Sequence, residues 1–215
     1  MWWHKENPLP QSPFLVVNKS LDGYLPEFEH GENVDFARIP SGEISFSPMS
    51  EYDKWTNDCQ SCIAVLAQGK YPDESTTLSV LFHIHPRSVD GLRFLNKSPY
   101  FNIDYPRILK QLRDNTIKGT RAVGIAGGYI GPGEGMPVGL NRLFYRKMVS
   151  EVKKMSMRED FPEPYILQPP KQAERSILQP PKQIVSFTDV YWMTQKGIVT
   201  LVTRRDESFI APLGV

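Results

Sequence analysis

The chain is short of cysteine, of excess charge and of long apolar runs, and each shortage closes a class of answers. Two cysteines among 215 residues cannot build a disulfide framework, so a reducing, cytoplasmic setting with both thiols unpaired is expected. A formal charge of +1, from 25 basic and 24 acidic residues, gives no summed field toward nucleic acid or an anionic membrane, and neither partner is expected. The longest apolar stretches, "LSVLFHIH" and "CIAVLA", fall well short of the ~20 residues that span a bilayer. Residues 1–15 carry Pro8, Pro10 and Pro13 and no apolar signal core, so export is not expected.

What is present is a mixed pattern. Residues 1–37 read as an N-terminal extension with one strand-like run, "FLVVN", and residues 38–215 as a single domain. In that domain short β-runs alternate with two helical stretches, which predicts an α+β fold of layered, sandwich-like β-sheets flanked by two main helices. "SCIAVLAQG" and "TTLSVLFHIHP" flank the turn-rich "KYPDES" and predict two neighbouring strands. "NIDYPRILKQLRDN" places Ile103, Ile108, Leu109 and Leu112 near helical spacing, with Asn102 or Asp104 as the N-cap and Pro106 in the first turn. "VGLNRLFYRKMVSEVKKM" predicts a second helix with Leu143, Met148, Val152 and Met155 as its apolar stripe, and a hairpin around "TQKG" closes the chain.

One internal duplication stands out: "ILQPPKQ" occupies 166–172 and again 177–183. Paired prolines in each copy predict an extended, polyproline-like surface loop over 163–184. It is either a duplicated insertion or a docking motif for an aromatic groove.

Cys59, Cys62, His83 and His85 admit three chemistries. His83 and His85 share one face of a predicted strand, and with the C-x-x-C pair they offer four ligands to a structural zinc, although zinc-finger histidines are normally three to five residues apart. Alternatively "HIHP" with Asp104 offers the two histidines and carboxylate of a JAMM-type metallopeptidase, but Ser98 lies too far ahead of Asp104 for the S-x-x-D arrangement. In the third reading Cys62, where a loop feeds a strand, is a nucleophile. His83 on the next strand is its base, and Thr56 orients the far ring nitrogen.

These residues resemble the CheD-type chemoreceptor glutamine deamidases, which share a core with the catalytic domain of cytotoxic necrotizing factor toxins. The likeness rests on Thr56, "NDCQ" and then Ser61-Cys62 opening a strand, and on His83 in "LFHIHP" three residues before Pro86. It continues through the helix "YPRILKQLRDN", the "IAGG" of 125–128, and Gly139 with Asn141 in "GLNRLFYRKMVSEV"; "SGEISFSP" is similar to the family's opening strand. The chain departs from the family at Gln60, where a glycine is usual, in a longer loop between Cys62 and His83, and in the Pro-rich duplication.

The resemblance implies hydrolysis of a protein glutamine side-chain amide to glutamate, with ammonia released. Cys62, His83 and Thr56 would be catalytic, Ser61, Gly127 and Gly128 would form the oxyanion and substrate loop, and no metal or cofactor would be needed. A glutamine-bearing protein, a chemoreceptor or another signalling protein, would be the partner. Each residue also has a plainer role: a buried apolar thiol for Cys62, a satisfied core imidazole for His83, a turn cap for Thr56, close backbone packing for the glycines. A non-catalytic interaction protein on the same fold is the rival from another class.

Overall fold

Alternation along "DVYWM" turns Val190 and Trp192 to one side of a strand and Tyr191 to the other, and that division organises the larger of two packed sheets. The computed structural model describes residues 12–19, 32–33, 51–59, 62–84, 104–130, 138–168, 171–172, 174–175 and 183–206. In chain order these form β1 (Leu15–Lys19), β2 (Glu32–Asn33), β3 (Lys54–Cys59), β4 (Ile63–Lys70), β5 (Thr77–Ile84) and α1 (Asp104–Asp114). Then follow β6 (Ala122–Gly127), β7 (Tyr129–Ile130), α2 (Val138–Arg158), β8 (Tyr165–Ile166), β9 (Lys171–Gln172), β10 (Glu174–Arg175), β11 (Gln183–Met193) and β12 (Ile198–Asp206).

The larger sheet runs β1-β12-β11-β3-β2, with β10 added to the start of β11, and the smaller runs β5-β4-β6-β8. Ala64, Leu66, Leu81 and Ala126 of the smaller sheet meet Val190, Trp192, Val199 and Leu201 of the larger in one buried cluster. The other face of the smaller sheet carries Ile63, Val65, Phe82 and Ile125 against Ile108, Leu109 and Leu112 of α1 and Phe144, Met148 and Val152 of α2. The molecule is thus sheet, sheet, helices. β4 is covered on both faces, which is why its sequence is an unbroken apolar run instead of an alternating one. Each fully buried Leu, Ile or Phe here contributes about 1.5–3 kcal/mol.

The α+β layering expected from the pattern is present, with three differences in detail. Residues 12–19, read as part of an extension, belong to the larger sheet: β1 pairs in parallel with β12. Phe14 is buried edge-on to Trp192, with ring centroids 6.0 Å apart. Leu143 does not lie on the buried stripe of α2; it is exposed, and Phe144, Tyr145, Met148 and Val152 face the sheet. Position 143 falls outside the three-and-four spacing that links 144 or 145 to 148 and 152.

The first copy of the duplication is not a surface loop throughout. Ile166 pairs with Ile125 in the sheet, the Leu167 amide donates to the Ile125 carbonyl at 2.8 Å, and buried Gln168 accepts from the Thr188 hydroxyl at 3.0 Å. Leu167 is the side chain that finds cover, lying over Gly124, whose missing Cβ leaves the space, while Ile166 stays exposed. In the second copy, residues 177–182 lie outside the described residues, and Gln183 opens β11.

α2 ends where Phe161 N donates to Ser156 O at 2.9 Å and Asp160 N to Met157 O at 3.1 Å, the paired closure of a Schellman motif. Asp160 takes the left-handed position with φ +63. Its carboxylate meets Lys118 Nζ at 2.9 Å and Arg121 Nη1 at 3.3 Å. Arg121 in turn donates through Nη2 to the carbonyls of Arg113 and Thr116, satisfying groups that the end of α1 leaves open.

Candidate functional site

The strand register determines which residues share a face at one end of the smaller sheet. β4 and β5 are antiparallel with Ile63 opposite Ile84 and Ala64 opposite His83. Cys62, two residues before Ala64, therefore projects to the face that His83 occupies, diagonally across the ladder. Such diagonal positions have Cβ atoms about 7–8 Å apart, within the joint reach of an imidazole and a thiol. β6 brings Gly127 to the same end, opposite Ile63.

Thr56 reaches this point from the larger sheet. Its Oγ1 lies 2.7 Å from His83 Nδ1, a buried hydrogen bond between the sheets. A hydroxyl both donates and accepts, so it serves either ring tautomer; with Nδ1–H donating to Oγ1, Nε2 keeps a lone pair and is a base. Thr56 is fully buried, and His83 and Cys62 are each 4% exposed. Cys62 does not lie at the open mouth of a cleft: its side chain belongs to the cluster of Cys59, Ala64, Leu66 and Leu81.

A β-bulge sets up part of this arrangement. Thr188 of β11 pairs with Cys59 and Val190 with Thr56, so three steps along β3 match two along β11. In an unbroken strand residues 56 and 59 would face opposite ways. The extra residue turns both into the space between the sheets, where each is buried. Asn57, inside the bulge, has a buried Oδ1 with no hydrogen-bond partner among the described residues.

Cys59, which the sequence offers only as half of the C-x-x-C pair, is fitted here to Gly127. A Cβ on Gly127 would stand 2.9 Å from Cys59 Cβ and 3.3 Å from the Cys62 carbonyl oxygen, and the residue has φ +81. Gly128, at φ +88, has its open side filled by the Tyr145 ring. Both glycines are buried, and close packing accounts for them. The bulge and the seat for Cys59 were missed because neither has a composition signal; the odd separation of two inward residues, 56 and 59, is the only trace they leave.

Both cysteines are thiols. Ser61, His85 and the side chain of Asp104 lie outside the described residues. Among the described residues no three His, Cys, Asp or Glu side chains are grouped to hold a metal, so neither zinc reading is completed by them. No helix among the described residues is long and apolar enough to cross a membrane. Set beside known proteins, the chain matches no protein-family model and no curated protein.

Proposed function

We propose that this chain is a cysteine-dependent protein-glutamine amidohydrolase of the CheD type. One observation carries the proposal: Thr56 Oγ1 stands 2.7 Å from His83 Nδ1 across 27 residues of sequence, on the face of the β4–β5 pair that also holds Cys62. Those are the three residues that the resemblance names.

In this reading Nδ1–H of His83 donates to Thr56, and Nε2 accepts the Cys62 thiol proton as sulfur bonds to the glutamine carboxamide carbon. Backbone N–H groups at Ser61 and Cys62 hold the oxyanion. The C–N bond breaks as His83 returns the proton to nitrogen, and ammonia leaves a thioester. Water then attacks with His83 again taking the proton, the S–C bond breaks, and the thiol is regenerated. The carboxamide enters at the end of the smaller sheet where β4 begins. The target is a signalling protein that carries an accessible glutamine, such as a chemoreceptor.

The 4% exposure of Cys62 within an apolar cluster favours a second reading, a structural thiol in a non-catalytic interaction protein of the same topology. Iodoacetamide separates the two. Under the proposal, Cys62 of the native chain alkylates, His83→Gln slows it about tenfold or more, and candidate partners gain about 1 Da per amide hydrolysed, with ammonia released by wild type and not by Cys62→Ala. Alkylation of Cys62 only after denaturation, with partner binding unchanged in Cys62→Ala, establishes the structural thiol instead.

A further inference from the structure

The far end of the smaller sheet holds a cavity of about 540 Å³ between the end of β4 and the turn that joins β11 to β12. It lies about 20 Å from Cys62, six residues along β4 at about 3.3 Å each. Gln68 lines it. This is the position on β4 where the inward-facing series Ala64, Leu66 turns from apolar to polar. Gln68 is 8% exposed, and its Oε1 is buried with no hydrogen-bond partner among the described residues. A buried amide oxygen left without a donor is unfavourable, and nothing in the fold of β4 requires an amide there.

Among the described residues that line the cavity the charges have one sign: Lys70, Lys196 and Arg121, with no carboxylate. Arg121 is committed, to the carbonyls of Arg113 and Thr116 and to Asp160. Lys70 and Lys196 have no ion-pair partner among the described residues. Tyr165, its ring set edge-on to Phe14 at 6.4 Å, and Thr77 are also among the lining residues.

We infer that this cavity is a binding site for a small organic dianion, a phosphate monoester or a dicarboxylate, that presents an N–H or O–H group to Gln68. Two uncommitted lysines match two negative charges. The orphan acceptor requires a donor on the ligand. The volume exceeds what a bare inorganic ion fills and suits a molecule of nucleotide size or less. The site stands apart from the proposed amide chemistry and does not depend on it.

Calorimetry and thermal unfolding of the full chain test it, with a nucleoside monophosphate, a five-carbon dicarboxylate carrying an amino group, inorganic phosphate, and the uncharged nucleoside as probes. At least one organic dianion is expected to bind with Kd below about 1 mM and to raise the melting temperature, with the nucleoside inert. Lys70→Ala and Lys196→Ala should each weaken binding about tenfold. Gln68→Leu should weaken it without lowering the melting temperature, because it removes an unpaired buried amide. Should Gln68→Leu not fold, the surface variants Lys70→Glu and Lys196→Glu carry the same test. Failure of both organic dianions to bind, or binding by inorganic phosphate alone, overturns the inference, as does binding that survives the lysine substitutions.

Discussion

Thr56 has two separable functions, which different substitutions distinguish. Its hydroxyl is the partner of His83 Nδ1 at 2.7 Å, and its methyl fills space between the sheets. Thr56→Val keeps the volume and removes the hydroxyl, so stability should fall by about 1–3 kcal/mol for the imidazole left without its partner. The proposed amide hydrolysis should fall about tenfold or more, with a displaced pH profile, because a positioning group has been lost. Thr56→Ser should restore the profile; an unaltered rate in Thr56→Val would leave the residue a purely structural one. Gly127 is constrained by neighbours and backbone together: φ +81 and a Cβ position 2.9 Å from Cys59 Cβ. Gly127→Ala should cost about 1–3 kcal/mol from the backbone alone, plus the contact. Chemical denaturation of Gly127→Ala and of the double variant with Cys59→Gly measures the split, since only glycine at 59 removes the clashing atom.

At the scale of elements, the closure of α2 makes a sharp test. Asp160 occupies the left-handed position that glycine usually fills. Asp160→Gly loses the carboxylate but relieves the backbone, whereas Asp160→Ala loses both advantages, so Ala should be less stable than Gly by about 1–2 kcal/mol in urea unfolding. Most elements are legible in the sequence because they rest on local patterns. The apolar run of β4, the turn-rich "KYPDES" and the spacing of α1 each specify their own structure, and β4 and β5 do pair as neighbours. What is not legible depends on distant partners. Phe14 belongs to the core because Trp192 and Tyr165 receive its ring, 151 or more residues away in sequence. β8 joins β6 in parallel where Leu167, the residue after it, lies over Gly124, which has no Cβ to exclude it. The Thr56 to His83 contact is one of three readings open to the cysteine and histidine cluster, and spacing alone does not select it, since the bulge in β3 sets which residues of that strand face inward.

For the molecule as a whole, acid should be the sensitive direction. Asp160 is held below its ordinary carboxylate range by its hydrogen bond to Lys118 and then by the charges of Lys118 and Arg121. Glu163 is lowered by its hydrogen bond to Lys153 and by that residue's charge, and Asp73 by the backbone N–H of Thr76. Groups depressed in the folded state contribute stability that is complete above their unfolded pKa and is lost as pH falls through the folded value. Stability set by these carboxylates should therefore be level from about pH 7 to about pH 5 and decline below about pH 4. Urea midpoints across that range check it, and the double variant Asp160→Asn, Glu163→Gln should show a shallower acid limb. A decline already under way between pH 7 and pH 5 would assign the sensitivity to other groups.

The repeated heptapeptide gives the folding chain a choice of its own making. Residues 177–183 spell the same "ILQPPKQ" as 166–172, so either copy offers an identical Ile-Leu-Gln edge to β6. Arithmetic of chain length decides between them. With the first copy seated, eleven residues, 173–183, remain to reach Ile184 and the rest of β11; with the second seated, Gln183 would stand where Gln172 does and none would remain. The tether, and not the docking sequence, selects the native arrangement, and inserting about eleven residues between Gln183 and Ile184 would give the second copy an equal tether and bring two equivalent ligands into competition for one groove.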